Sequence, residues 1–98
     1  MIIVIGSVVA KPDSFDAVRQ ASLDHVHRSR LEDGCISHAV HVDVENPLRL
    51  FFFERWRDMA SLQVHFRQPG SLTLLKELHG LTDAIETLSV YEASDLPL

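Results

Sequence analysis

The reactive side chains of this sequence concentrate around one short run, Phe51 to His65, which reads FFFERWRDMASLQVH. Glu54 and Trp56 are two apart, so on a strand they share a face, and Phe52 joins them. A carboxylate between two large aromatics is costly to bury unless it is paired or hydrogen-bonded. His65 follows nine residues after Trp56 and is the first candidate for proton transfer, because imidazole accepts a proton from an acidic hydroxyl near neutral pH. It could equally be a cavity-edge histidine bonded to backbone or to Glu54. Trp56 could stack on an aromatic substrate and exclude water, or anchor the junction between sheet and helix. Glu54 is the second catalytic candidate, better suited to orienting a partner or a dimer contact than to taking the proton itself. Phe52, His38 and Phe66 complete the candidate substrate-contacting set with Trp56.

The remaining histidines invite a metal interpretation that local spacing opposes. His38 and His41 are three apart and point to opposite faces of a strand, while His25 and His27 are two apart on a helix and do not face each other. Only a composite of distant histidines is left, and no bound metal is expected. Cys35 has no second cysteine to pair with and is expected to be structural. No glycine-rich phosphate cradle is present, so no cofactor is expected either.

These residues need a sheet and a helix to hold them. Ile2 to Ala10 is a nearly continuous apolar run, as in a central strand covered on both faces. Pro12 and Asp13 precede a helix from about Ser14 to Arg30, capped by Asp13, with Phe15, Val18, Ser22, Val26 and Ser29 facing inward. Cys35 to Val42 alternates as a second strand with Ile36, His38, Val40 and Val42 on one face. Asp43 to Pro47 turns the chain into a third strand from Leu48 to Trp56. Asp58 reads as the N-cap of a short helix with Met59, Leu62 and Phe66 as its apolar stripe. Pro69 and Gly70 break that helix, a second helical pattern runs from Leu72 to Leu78 with Gly80 as its cap, and Ala84 to Glu92 is the last strand. The order β-α-β-β-α-β predicts an α+β, ferredoxin-like fold: a four-stranded antiparallel sheet with helices on one face.

The chain of 98 residues suits one domain, residues 1–98, with no repeat or linker. Its core is modest, because a domain this small buries only roughly 60 to 65% of its unfolded surface. Apolar side chains on both faces of the third strand, with Phe51 and Phe53 opposite Phe52, ask for a second sheet, which predicts a homodimer. A net charge of −5 without a basic stripe argues against a nucleic-acid partner. With no secretion-like start and no long apolar span, the expected location is cytoplasmic and no membrane partner is expected.

The motif EDGC at Glu32 to Cys35, followed by the Glu-x-Trp of Glu54 and Trp56 and then His65, resembles the antibiotic biosynthesis monooxygenase domain family. The resemblance implies a dimeric α/β barrel with a cavity between sheet and helices. It further implies oxygenation of a phenolic, quinol or polycyclic aromatic molecule by dioxygen without metal or flavin. Glu54, Trp56 and His65 are the positions it carries over. His38 stands where a tyrosine is common in the family and Gly70 where a histidine often occurs. Ile3 to Val9 lacks the asparagine that haem-degrading relatives carry on the first strand. The competing functions are an isomerase using the same acid-base residues and a non-catalytic, ligand-binding dimer.

Overall fold

Nine residues of branched and small apolar character, Ile2–Ala10, form β1, and this strand lies inside the sheet with neighbours on both sides. In the computed structural model the backbone of residues 1–98 and the side chains of all but 84–86 are described. After β1 come α1 (Phe15–Ser29), β2 (Cys35–Val42), β3 (Arg49–Trp56), α2 (Met59–Arg67), α3 (Pro69–Leu78) and β4 (Thr82–Glu92). The sheet order is β2-β3-β1-β4 and all three pairings are antiparallel, which is the expected ferredoxin-like arrangement.

Burial along β3 alternates strictly, with Leu50, Phe52, Glu54 and Trp56 buried and the residues between them half-buried. The register places Val4 opposite Glu54 and Val8 opposite Leu50, so the even positions of β1 and β3 share the helix-covered face. Two apolar clusters hold the layers together there. Val8, Ala10, Leu50 and Phe52 pack with Val18 and Val26 of α1 and Leu78 of α3. Val4 and Trp56 pack with Leu62 of α2. The other face of the same strands carries Ile3, Ile5, Val9, Phe51 and Phe53, all half-buried with no layer over them among the described residues.

Several details differ from the sequence-based expectation. Ile36 does not share the face of His38: a register shift between Cys35 and Ser37 inserts one extra residue, and Ile36 is exposed. Ser14, not Asp13, is the N-cap of α1, and the Asp13 carboxylate accepts a hydrogen bond from the Ser14 hydroxyl instead. On α1 His25 and Ala21 join the inward face, because position 25 lies three after Ser22 and four before Ser29. Asp58 caps α2 as expected, accepting from the Ser61 amide at 2.8 Å. The buried side of α2 is Ser61, Leu62 and His65, while Met59 and Phe66 sit on its flanks. Thus the polar residues, not the expected apolar stripe, face the sheet beside Leu62.

α3 begins at Pro69, three residues earlier than expected, since a proline in the first helical turn sacrifices no helical hydrogen bond. Gly80 has φ +82 just beyond its end, the left-handed turn a glycine cap provides. β4 starts at Thr82 rather than at residue 84. The side chains at the expected start, 84–86, lie outside the described residues. Further along, Leu88 and Val90 are exposed at the sheet edge.

Candidate functional site

Four elements converge on Glu54. β3 carries it to the helix-covered face, and β2 sets His38 directly across the ladder from it. α1 brings His25 and α2 brings His65 down onto the same spot. All three histidines are buried, with exposures of 5%, 1% and 2% for His25, His38 and His65. Their rings form a near-equilateral triangle, with centroids 5.2 Å apart for His25 and His38, 5.2 Å for His25 and His65, and 5.6 Å for His38 and His65.

Three ring nitrogens crowd one oxygen of the carboxylate. Trp56 Nε1 donates to Glu54 Oε1 at 2.9 Å. His38 Nε2 lies 3.2 Å from the same oxygen, close but without hydrogen-bond alignment, and His65 Nε2 is 3.8 Å away. Burial opposes the charge on Glu54, but the contacts from His38, Trp56 and His65 outweigh it and hold the carboxyl below its usual range. The site therefore contains a buried anion at neutral pH.

The neighbouring histidines are tuned differently. On its far side His65 Nδ1 is 2.9 Å from Glu32 Oε1. A carboxylate can only accept, so Nδ1 carries a proton toward Glu32, while Nε2 faces the Glu54 oxygen. His25 is pushed down to about 4, by burial first and then by the neighbouring His38 and His65. It is a neutral base at physiological pH. Its Nε2 lies 3.5 Å from the Ser29 hydroxyl, while its Nδ1 has no partner. Cys35 has its thiol pushed up by burial, then by Glu32 and Glu54, so it stays protonated and structural.

A cavity of about 340 Å³ opens between the sheet and α3 and ends at this cluster. His25, His65, Glu54 and Phe52 form its inner end, and Phe66 and Leu75 lie in its walls. The volume falls in the lower part of the range that holds small organic ligands. Of the six residues singled out from sequence, His65, Glu54, Phe52 and Phe66 border this cavity. Trp56 and His38 stand behind it. Trp56 is fully buried, with its indole stacked at 4.5 Å and 34° on the His65 ring. His38 packs edge-on against both Phe52 and Trp56. Sequence reasoning missed His25 and Glu32. His25 was legible from the spacing of Ser22 and Ser29 on α1, whereas Glu32 sits in the turn before Gly34, where no periodicity reports direction.

A profile of the family described as antibiotic biosynthesis monooxygenase matches residues 1–77. The chain belongs to the antibiotic biosynthesis monooxygenase family. The family match takes in Glu32, His38, Glu54, Trp56 and His65, and it ends before Leu78 and β4. The protein sll1783 of Synechocystis sp. is 37% identical over 68 residues, which are 69% of this chain and 46% of that protein. This chain thus spans about half the length of that curated relative. Among solved structures, a Deinococcus radiodurans protein provisionally named an antibiotic biosynthesis monooxygenase superposes with a TM-score of 0.94 at 24% identity, covering 100% of this chain and 97% of that one. Rv0793 of Mycobacterium tuberculosis gives 0.89 at 25% identity, covering 97% and 96%. The ferredoxin-like fold of this chain is the one those structures share. No helix among the described residues is long and apolar enough to cross a membrane.

Proposed function

We propose that this protein is a monooxygenase of small phenolic, quinol or polycyclic aromatic molecules, with His65 as the base. The observation that carries the proposal is the pairing of His65 Nδ1 with Glu32, which in the neutral imidazole makes Nε2 the proton acceptor at the inner end of an apolar cavity. A hydroxyl entering there loses its proton to Nε2, and the positive imidazolium is stabilised by Glu32 on one side and Glu54 on the other. The electron-rich phenolate then supplies the electrons. One passes to dioxygen, the two radicals combine at the ring carbon para to the oxygen, and loss of water leaves a quinone. The balance is phenol plus O2 to quinone plus H2O, with the substrate as the only reductant.

Phe52 and Phe66 offer the aromatic walls for such a ring, and Trp56 keeps the His65 plane fixed from behind. Glu54 acts by orienting and by charge, since its lowered pKa makes the carboxylate a poor base. The half-buried apolar face of Ile3, Ile5, Phe51 and Phe53 supports a homodimer closed sheet against sheet, and sedimentation as a monomer at micromolar concentration would refute that part.

The enzymatic proposal is tested with a panel of phenols and hydroxylated polycyclic aromatics that carry hydrogen at the carbon para to the hydroxyl, under 18O2. The expected outcome is one O2 consumed per quinone, with one labelled oxygen in the quinone and one in water. Turnover without O2 consumption would replace the oxygenase by an isomerase, and binding without turnover would leave only a ligand-binding protein.

A further inference from the structure

The geometry points to a divalent transition-metal site made by His25, His38 and His65, with the Glu54 carboxylate as the oxygen neighbour of the bound ion. The inference stands on the arrangement of the imidazoles and does not depend on the oxygenase assignment. Each ring offers one nitrogen, and the three nitrogens lie within 4.8 Å of one another. For a metal–nitrogen bond of about 2.1 Å and tetrahedral angles, imidazole centroids sit roughly 5.2 Å apart. The separations of 5.2, 5.2 and 5.6 Å meet that requirement already. The rings are inclined at 77°, 51° and 61° rather than stacked, as three ligands converging on one ion from different elements must be. Drawing nitrogens in from 4.8 Å toward tetrahedral contact requires ring tilts that move each by roughly an ångström or less.

The polar satisfaction of the cluster gives a second, independent observation. His25 Nδ1 and His38 Nδ1 are buried without a hydrogen-bond partner, and His38 Nε2 meets only the Glu54 oxygen at 3.2 Å. Each such nitrogen costs about 1 to 3 kcal/mol when nothing meets it, and buried polar groups are seldom left so. His65 is the opposite case, because Glu32 fixes its Nδ1 and turns Nε2 toward the others. A carboxylate on the far nitrogen of a histidine is the usual outer partner of a metal ligand, orienting the ring and raising its basicity. The Glu54 oxygen, 3.2 Å from His38 Nε2 and 3.8 Å from His65 Nε2, is placed to complete a fourth position. The ion reaches the site through the cavity, whose walls include His25, His65 and Glu54. Three imidazoles and a carboxylate suit zinc, cobalt, nickel, copper or iron rather than magnesium or calcium.

A bound ion would take the lone pair of His65 that base catalysis needs, so the two uses of this nitrogen exclude one another. The experiment therefore reads binding and not turnover. Protein stripped with a chelator is titrated with Co2+ and followed by visible absorption, and with Zn2+ by calorimetry. The expected result is one ion per chain, intense four-coordinate cobalt bands between about 500 and 650 nm, and zinc X-ray absorption with imidazole nitrogens at about 2.0 to 2.1 Å. His25→Gln and His38→Gln should each weaken binding by more than about 100-fold, beyond the 10 to 100-fold expected of the outer-partner change Glu32→Gln. His27→Ala, on the exposed side of α1, should bind as the parent does. Should a histidine variant fail to fold, the cobalt spectrum and zinc absorption of the parent protein decide alone. Six-coordinate cobalt, no saturable single site, or variants that bind like the parent would overturn the inference and leave ordered water as the occupant of the triangle. Such a failure would not touch the oxygenase proposal, whose test is labelled-oxygen turnover.

Discussion

Two polar clusters flank the end of β3, and they are built on opposite principles. Outside, Arg57 donates to Asp33 at 3.1 and 3.4 Å, to Asp58 at 3.3 Å and to Ser61 at 3.2 Å, and the Ser61 hydroxyl donates to Asp58 at 2.7 Å. Every group there has a partner, Arg57, Asp33 and Asp58 are exposed, and the cluster ties the Gly34 turn to the start of α2. Inside, Glu54 gathers Trp56 and two histidines on one oxygen, while His25 and His38 keep nitrogens with no partner. A satisfied exposed network is a device for holding a corner. A buried network left incomplete costs stability, and its presence beside a cavity is what a site for an incoming group requires.

The sharpest way to break this contrast is to remove one member of each cluster and compare turnover. If the oxygenase proposal holds, His65→Gln should lower oxygen uptake by about 10² to 10⁴-fold with folding intact by circular dichroism, the span typical of a lost general base. Arg57→Ala should leave the rate within about twofold, since it contacts no cavity residue. Equal losses in both would erase the distinction.

Acid titration of metal-stripped protein separates the clusters next. His25 faces His38 from β2, His65 from α2, Glu54 from β3 and Arg28 on its own helix, and its folded pKa of about 4 lies below the ordinary 6.5. The unfolded chain therefore takes the proton first as pH falls. Stability should be full above pH 6.5 and erode between 6.5 and 4, by on the order of 3 kcal/mol in total, as read from urea unfolding at each pH. His25→Gln should flatten that slope. The corner behaves in another window: Arg57 lowers Asp33, and the Ser61 hydroxyl and amide lower Asp58, so their contribution persists until pH drops below the ordinary carboxylate range near 4.

Smaller effects follow at the turn itself. Gly34 has φ +85, and a Cβ there would run into the Ser61 side chain. Gly34→Ala should cost about 2 kcal/mol in chemical denaturation, with the cavity cluster undisturbed and Zn2+ affinity within about threefold of the parent. Asp58→Ala removes the N-cap of α2 and should lower Tm by less than Gly34→Ala does.

Much of the frame was legible before any coordinates. The alternation of Phe52, Glu54 and Trp56 on β3, the Asp58 cap and the glycine cap at Gly80 are local rules, and the structure obeys them. The expected stripe of α2 differs from its buried face because apolarity alone does not mark that face: Ser61 and His65 are inside, partnered by Asp58 and Glu32. Ile36 was misplaced because a bulge adds a residue without leaving a sequence mark. The histidine triangle was invisible for a different reason. Its members come from α1, β2 and α2, and pairwise spacing along the chain carries no information about a meeting of three elements. Judged two at a time, His25 with His27 and His38 with His41, the histidines fail as partners. Folding replaces each pair by one buried member and one exposed member.

The assignment of the inner cluster as the working site is tested most directly by a crystal structure with a phenol that cannot be oxidised to a quinone. The expected density places the ring between Phe52 and Phe66 with its hydroxyl about 3 Å from His65 Nε2, and Glu32 still on Nδ1. A phenol bound on the open sheet face, or with its hydroxyl turned away from His65, would contradict the account.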